Sequence, residues 1–141
     1  GHENEDVAAV LVRFENDIVG TISVSDTIVS PWSWELTAKE NPAYPRTTES
    51  CYFFGGEHGS LSVPDLNIWK NKDKRGWWEP ISSEKHSIIG TDPLMNQIDH
   101  FVSVINGSNK PLVTANEGLR NLKVLEGIYK SAEMNQTFKI T

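Results

Sequence analysis

The sequence is short of cysteine, of basic charge and of long apolar runs, and each shortage removes a class of reading. A single cysteine, Cys51, cannot close an internal disulfide, and no second one supplies metal-ligand spacing. It stands in the apolar run Cys51-Tyr52-Phe53-Phe54, where a thiol serves as a small hydrophobe. Lys and Arg number 13 against 19 Asp and Glu, for a net charge of -6. A polyanion needs clustered cations to displace its counterions, so nucleic acid is not an expected partner. The one basic run, Lys70 to Arg75, is interrupted by Asn71 and Asp73 and reads as a solvated hairpin tip. No stretch approaches the roughly 18 apolar residues that cross a bilayer, and no basic-then-apolar leader opens the chain. A membrane is therefore not an expected partner, and the cytoplasm is the default compartment. Gly1-His2 reads as a cloning remnant, with native sequence from about Glu3.

The common catalytic signatures are missing as well. The four histidines, His2, His58, His86 and His100, share no ligand spacing and form no HExxH, so no metal is expected. No GxSxG elbow accompanies a His and an Asp, which leaves a hydrolase triad without support. The only glycine cluster, Gly55-Gly56 with Gly59, joins two strand-like runs instead of opening a helix. Nothing there can cradle a pyrophosphate on helix amides, and no dinucleotide site is expected. His100 reads as a core-edge histidine satisfied by a hydrogen bond, and His58 as an exposed turn residue.

What is present describes one α+β domain. A chain of 141 residues buries about two-thirds of its unfolded surface when it folds, so a packed core is the default. Val7 to Glu15 is dense in β-branched and apolar residues and predicts a central strand covered on both faces. Asn16-Asp17 suits a two-residue primed turn. From Ile18 the return strand alternates, with Ile18, Gly20, Ile22 and Val24 on one face and Val19, Thr21, Ser23 and Ser25 on the other. That small, hydroxylated face fits a partner surface or a wet cleft, with plain solvent exposure as an equal alternative. Trp32, Trp34 and Leu36 alternate with Ser33, Glu35 and Thr37, which predicts another strand; Lys39 to Thr48 is a loop rich in proline. Strand character returns at Glu49 to Phe54, at Ser60 to Val63 and at Leu66 to Trp69, with a possible returning edge near Trp77. Asp92 and Pro93 open a helix whose stripe is Leu94, Ile98, Phe101, Val102 and Ile105, ended by Gly107. Thr114 and Glu117 have capping-box spacing ahead of Leu119, Leu122, Leu125, Ile128, Tyr129 and Ala132. Thr137 to Ile140 could return a last strand. Strands first and helices late predict an antiparallel-rich open β-sheet with helices packed on one face.

Chemistry concentrates around the third of these segments. The aromatic planes of Trp32, Trp34 and Tyr44 stand close in sequence to the carboxylate of Glu35, the amide of Asn41 and the guanidinium of Arg46. Such a set suits a sugar or polyol, whose apolar faces stack while its hydroxyls hydrogen-bond. A dimer contact or core edge is an equal reading. Glu35, Glu40 and Glu49 could offer a carboxylate pair, although a solvated surface is preferred for them.

The order of motifs adds a resemblance. Glu5 to Asn16 followed by Val19-Gly20-Thr21-Ile22 resembles the opening hairpin of the carboxy-terminal domain of the glucose-fructose oxidoreductase / inositol dehydrogenase (Gfo/Idh/MocA) family. Gly56-Glu57-His58-Gly59-Ser60-Leu61 is similar to its strand turn. Gln97 to Val102 with Ile105-Asn106-Gly107 and Pro111, then Gly118-Leu119 through Leu125-Glu126 and Ile128 to Ser131-Ala132, resembles its closing helices. Asp17 stands where that family often has glycine. The Lys70 to Trp78 segment looks specific to a subgroup.

The resemblance implies that residues 1–141 are the second, substrate-binding and dimerising domain of an oxidoreductase that uses NAD or NADP. The amino-terminal Rossmann domain, with the cofactor site, the catalytic Lys and the Asp and His pair, would precede this chain, so neither catalytic nor cofactor-binding residues are expected here. His2 lacks the DxxxH context of that catalytic His. Implied partners are the Rossmann domain, a second copy through the open sheet face, and a sugar or polyol substrate. The rival is a freestanding carbohydrate- or protein-binding module, and an independent hydrolase using Glu35 or Glu49 with a histidine ranks last.

Overall fold

The computed structural model describes Glu3, residues 5–88 and residues 90–140, so His2 lies outside the described residues. In chain order the elements are β1 (Val7–Arg13), β2 (Val19–Ser25), α1 (Trp34–Thr37), β3 (Tyr52–Gly56), β4 (Gly59–Val63), β5 (Asn67–Asn71), β6 (Ile81–Lys85), α2 (Pro93–Ile105) and α3 (Ala115–Met134). Antiparallel sheets combined with helices make this the expected α+β class. The pairing is divided between two open sheets, β1-β2 and a meander β3-β4-β5-β6. The chain splits into two compact units, residues 1–28 with 100–141 and residues 29–99.

In the first unit, β1 pairs with β2 from Val7↔Ser25 to Arg13↔Val19. This register puts Ala8, Val10 and Val12 beside Val24, Ile22 and Gly20 on one face. Val7, Ala9 and Leu11 join Ser25, Ser23 and Thr21 on the other, and Leu11 there is 73% exposed. β1 is thus one strand of a two-stranded sheet rather than the central strand expected from its composition. The turn also differs. Phe14 N–H bonds Ile18 C=O at 2.8 Å and Asp17 N–H bonds Phe14 C=O at 3.1 Å, enclosing three residues. Asp17 alone takes the left-handed conformation, φ 61, the usual ending of a three-residue hairpin loop. Aspartate tolerates that conformation, so it serves where glycine is common.

The last helix starts on a complete capping box. Thr114 Oγ1 accepts from Glu117 N–H at 3.3 Å, while the Glu117 carboxylate accepts from Thr114 N–H at 2.6 Å. Asn135 ends it in the left-handed conformation. The tail beyond is not the strand its alternation suggested. Ser131 Oγ donates to Gln136 C=O at 2.7 Å, and a Cβ at Gly127 would come within 2.9 Å of Ile140. The tail therefore lies along α3, across a site kept free of a side chain. His100, half-buried, accepts Leu112 N–H on Nε2 at 3.2 Å, the satisfied core-edge role expected of it.

In the second unit, Trp34–Thr37 is a helical turn and not the strand that alternation predicted. Ser33 is its N-cap and accepts Leu36 N–H on Oγ at 3.3 Å. A six-residue pattern is too short to separate period 2 from period 3.6, and a serine cap settles the matter locally. Downstream, Gly56 pairs with Gly59 across the turn Glu57-His58. A Cβ at Gly59 would lie 2.7 Å from Trp69 C=O, so glycine is needed for β4 to approach β5.

The expected packed core is absent in one respect: among the described residues no hydrophobic side chain is fully buried. The buried side chains are Thr37, Ser50 and Ser62. The apolar stripes of both long helices exist as predicted, but Phe101 (64%) and Leu122 (63%) are largely exposed. Polar satisfaction organises the interior instead. Asp65 Oδ1 accepts from Ser50 and Ser62, each at 2.5 Å, and Asn67 donates to Oδ2. Burial raises the Asp65 pKa, but these bonds and the Lys85 cation outweigh it and leave the carboxyl below its ordinary value.

Candidate functional site

The second unit contains a cavity of about 330 Å³, within the range of small-molecule sites. Trp34, Glu35, Glu40, Asn41, Tyr44 and Asp92 supply its functional groups. Ala38, Pro42, Pro93 and Leu94 complete an apolar wall. Of the six residues expected to bind substrate, Trp34, Glu35, Asn41 and Tyr44 meet there, whereas Trp32 and Arg46 do not line it. The helical turn explains part of this. Successive side chains rotate by about 100° in a helix instead of alternating, so Trp32, just ahead of the cap, does not share a face with Trp34 as a strand would require.

Four of the wall residues, Trp34, Glu40, Asn41 and Asp92, are held by local devices. Trp34 packs against Tyr52 with ring centroids 5.8 Å apart and planes at 44°. Its Nε1–H donates to Glu40 Oε2 at 2.9 Å, fixing both the indole and the carboxylate. Asn41 Oδ1 accepts Ala43 N–H at 2.9 Å, an Asx turn that directs the loop toward Tyr44. The opposite wall is the start of α2, where Asp92 Oδ1 accepts from Leu94 N–H at 2.9 Å and Met95 N–H at 3.2 Å.

The electrostatics are one-sided. Glu35, Glu40 and Asp92 bring three carboxylates, and among the described residues no Lys or Arg lines the cavity. A helix N-terminus ordinarily attracts anions, but here the Asp92 carboxylate already occupies the free amides. The arrangement therefore offers hydrogen-bond acceptors, one amide and two aromatic faces, and repels an anion. Among the described residues no three His, Cys, Asp or Glu side chains gather as a metal site.

Two wall residues were recognised in the sequence for other reasons: Glu40 as a solvated carboxylate and Asp92 as a helix cap. Leu94 reads in the sequence as part of the α2 stripe. Glu49 does not line the cavity. His58 is exposed in the β3-β4 turn, and His86 Nε2 lies 3.5 Å from Glu84 on the surface. Gly55, Gly56 and Gly59 belong to the β3-β4 hairpin, and Gly59 serves close strand packing. Among the described residues, that glycine cluster opens no helix whose amides could hold a pyrophosphate. No helix among the described residues is long and apolar enough to cross a membrane.

No curated protein and no solved structure matched the chain. The family model described as "Oxidoreductase family, C-terminal alpha/beta domain" matches residues 1–140. With nearly every residue matched, the chain belongs to the Gfo/Idh/MocA oxidoreductase family, as its carboxy-terminal domain.

Proposed function

We propose that this chain is the substrate-binding and dimerising domain of an NAD(P)-dependent dehydrogenase acting on an uncharged sugar, polyol or related hydroxy compound. The observation that carries this reading is the cavity at Trp34, where aromatic faces and carboxylate acceptors meet without a cation. The indole and phenol rings present apolar planes to a sugar ring, and Glu35, Glu40 and Asp92 accept hydrogen bonds from its hydroxyls. A sugar acid or phosphate would enter three like charges with nothing to neutralise it.

The chain's own task in the reaction is to bind and orient the substrate. Hydride chemistry belongs to a nicotinamide cofactor, NAD or NADP, held by an amino-terminal Rossmann domain of the same polypeptide. The exposed stripes of α2 and α3 support this division, because they offer apolar surface that a further domain or copy would cover. The face of β1-β2 bearing Val7, Ala9 and Leu11 supports pairing of two copies. On its own the chain is expected to turn over no substrate.

Calorimetric titration of the chain with a neutral polyol and with the corresponding sugar acid tests the reading. Saturable binding of the polyol is expected, abolished by Trp34→Ala and weaker by at least about tenfold, or ~1.4 kcal/mol, for the acid. Absence of polyol binding, or tighter binding of the acid, would overturn it. If the intact polypeptide bound sugar but never changed NAD(P)H absorbance with any polyol, a freestanding binding module would replace the dehydrogenase.

A further inference from the structure

The three carboxylates of the Trp34 cavity differ in what else they hold. Glu40 Oε2 accepts the Trp34 Nε1–H at 2.9 Å, and Asp92 Oδ1 accepts the N–H groups of Leu94 at 2.9 Å and Met95 at 3.2 Å. Each of these two groups spends one oxygen on holding the wall in place. Glu35 lines the same cavity and makes neither a hydrogen bond nor an ion pair with the described residues. Ser33 already takes the Leu36 N–H at the start of α1, so the short helix makes no claim on the glutamate either. Both oxygens of Glu35 are open.

The donors of the wall complement it. Asn41 Oδ1 is taken by Ala43 N–H at 2.9 Å, which fixes which end of the amide is which and leaves the NH2 group to donate elsewhere. The Tyr44 hydroxyl has no partner among the described residues. The two oxygens of a carboxylate lie side by side in one plane and accept two parallel hydrogen bonds. Gauche hydroxyls on adjacent carbons present two O–H donors at a matching separation, whereas an isolated hydroxyl presents one.

We infer that Glu35 is the specificity-determining residue of the cavity: its two oxygens accept from two hydroxyls on adjacent carbons, so the site selects a vicinal diol over an isolated hydroxyl. The inference rests on the substrate reading proposed above and narrows it from hydroxy compounds in general to those with a gauche vicinal diol beside the ring face that stacks. The Asn41 amide and the Tyr44 hydroxyl remain for a ring oxygen or a third hydroxyl.

Calorimetric titration of the chain with myo-inositol, with D-glucose and with the monodeoxy derivatives of each supplies the test. In the parent, loss of either of two adjacent hydroxyls should weaken binding by about tenfold. Glu35→Ala replaces an exposed side chain, so the fold is not at risk, and in that variant the same two derivatives should bind within about twofold of the full polyol. Glu40→Gln is the control: it should weaken every ligand while the same adjacent pair stays sensitive. Deoxy penalties unchanged by Glu35→Ala, or penalties relieved at hydroxyls that are not neighbours, would overturn the assignment to Glu35 and leave the polyol site standing. No saturable binding of any of these ligands by the parent would sink the substrate reading, and this inference with it.

Discussion

Trp34 and Glu40 are joined by a 2.9 Å hydrogen bond from the indole nitrogen to the carboxylate, across the short helix and the loop that follows it. One bond orients both a stacking plane and an acceptor, which makes it the most direct handle on the cavity. Glu40→Gln keeps the shape but loses the charge-assisted bond, and should weaken polyol binding by about 1–2 kcal/mol. Since both side chains are exposed, its unfolding free energy should stay within about 0.5 kcal/mol of the parent, as read by urea denaturation.

The Asp65 cluster predicts a different response. Asp65→Ala would leave the hydroxyls of Ser50 and Ser62 unpaired, at 6% and 1% exposure. A loss of about 2–4 kcal/mol is expected from equilibrium unfolding. Burial raises the Asp65 pKa, yet the Ser50 and Ser62 bonds with Lys85 and Asn67 bring it below the ordinary carboxylate value. The stabilisation is thus present above the unfolded pKa and is lost as pH falls through the lower, folded one. Thermal midpoints recorded from neutral pH to about pH 2 should drop less steeply on the acid side for Asp65→Asn. Parallel acid limbs would remove Asp65 from the account.

Glycines in one hairpin separate space from conformation. A Cβ at Gly59 meets the Trp69 carbonyl at 2.7 Å, while one at Gly55 meets nothing within 4 Å. Gly59→Ala should therefore destabilise the meander by about 1–3 kcal/mol, and Gly55→Ala should be neutral or slightly stabilising. Paired thermal melts of the two variants decide it.

At the start of α3, Thr114→Ala removes half of the capping box and should cost about 1 kcal/mol. Glu117 titrates below its ordinary value because the backbone and then the hydroxyl of Thr114 bond its carboxylate. The cap therefore holds above the unfolded carboxyl range and weakens as pH falls through the folded value. Helical circular dichroism near pH 3 should differ less between parent and Thr114→Ala than at pH 7, because protonation undoes the box in both.

The long helices were legible in the sequence because their ends are written in short, local chemistry: Asp92 with Pro93, Thr114 with Glu117, and Gly107. The β3-β4 hairpin was legible for the same reason. The turn at Trp34 was not, since four helical residues provide too little periodicity to outweigh an alternating pattern. One side of the cavity wall was hidden too. Asp92, Pro93 and Leu94 lie about fifty residues beyond Asn41, and only the fold brings them opposite it. Arg46 does not line the cavity, because proximity in sequence says nothing about which way a proline-rich loop presents its side chains. Asp65 was overlooked because its partners, Ser50, Ser62 and Asn67, become a network only once β3, β4 and β5 are in register.

The uncovered stripes of α2 and α3 bear on how inherited variation in this protein should be judged. Leu122 and Phe101 look like surface positions here, where a polar replacement would be scored as harmless. In an assembled protein that covers them, the same replacement removes core, and its severity would scale with how much of the protein is assembled at a given concentration.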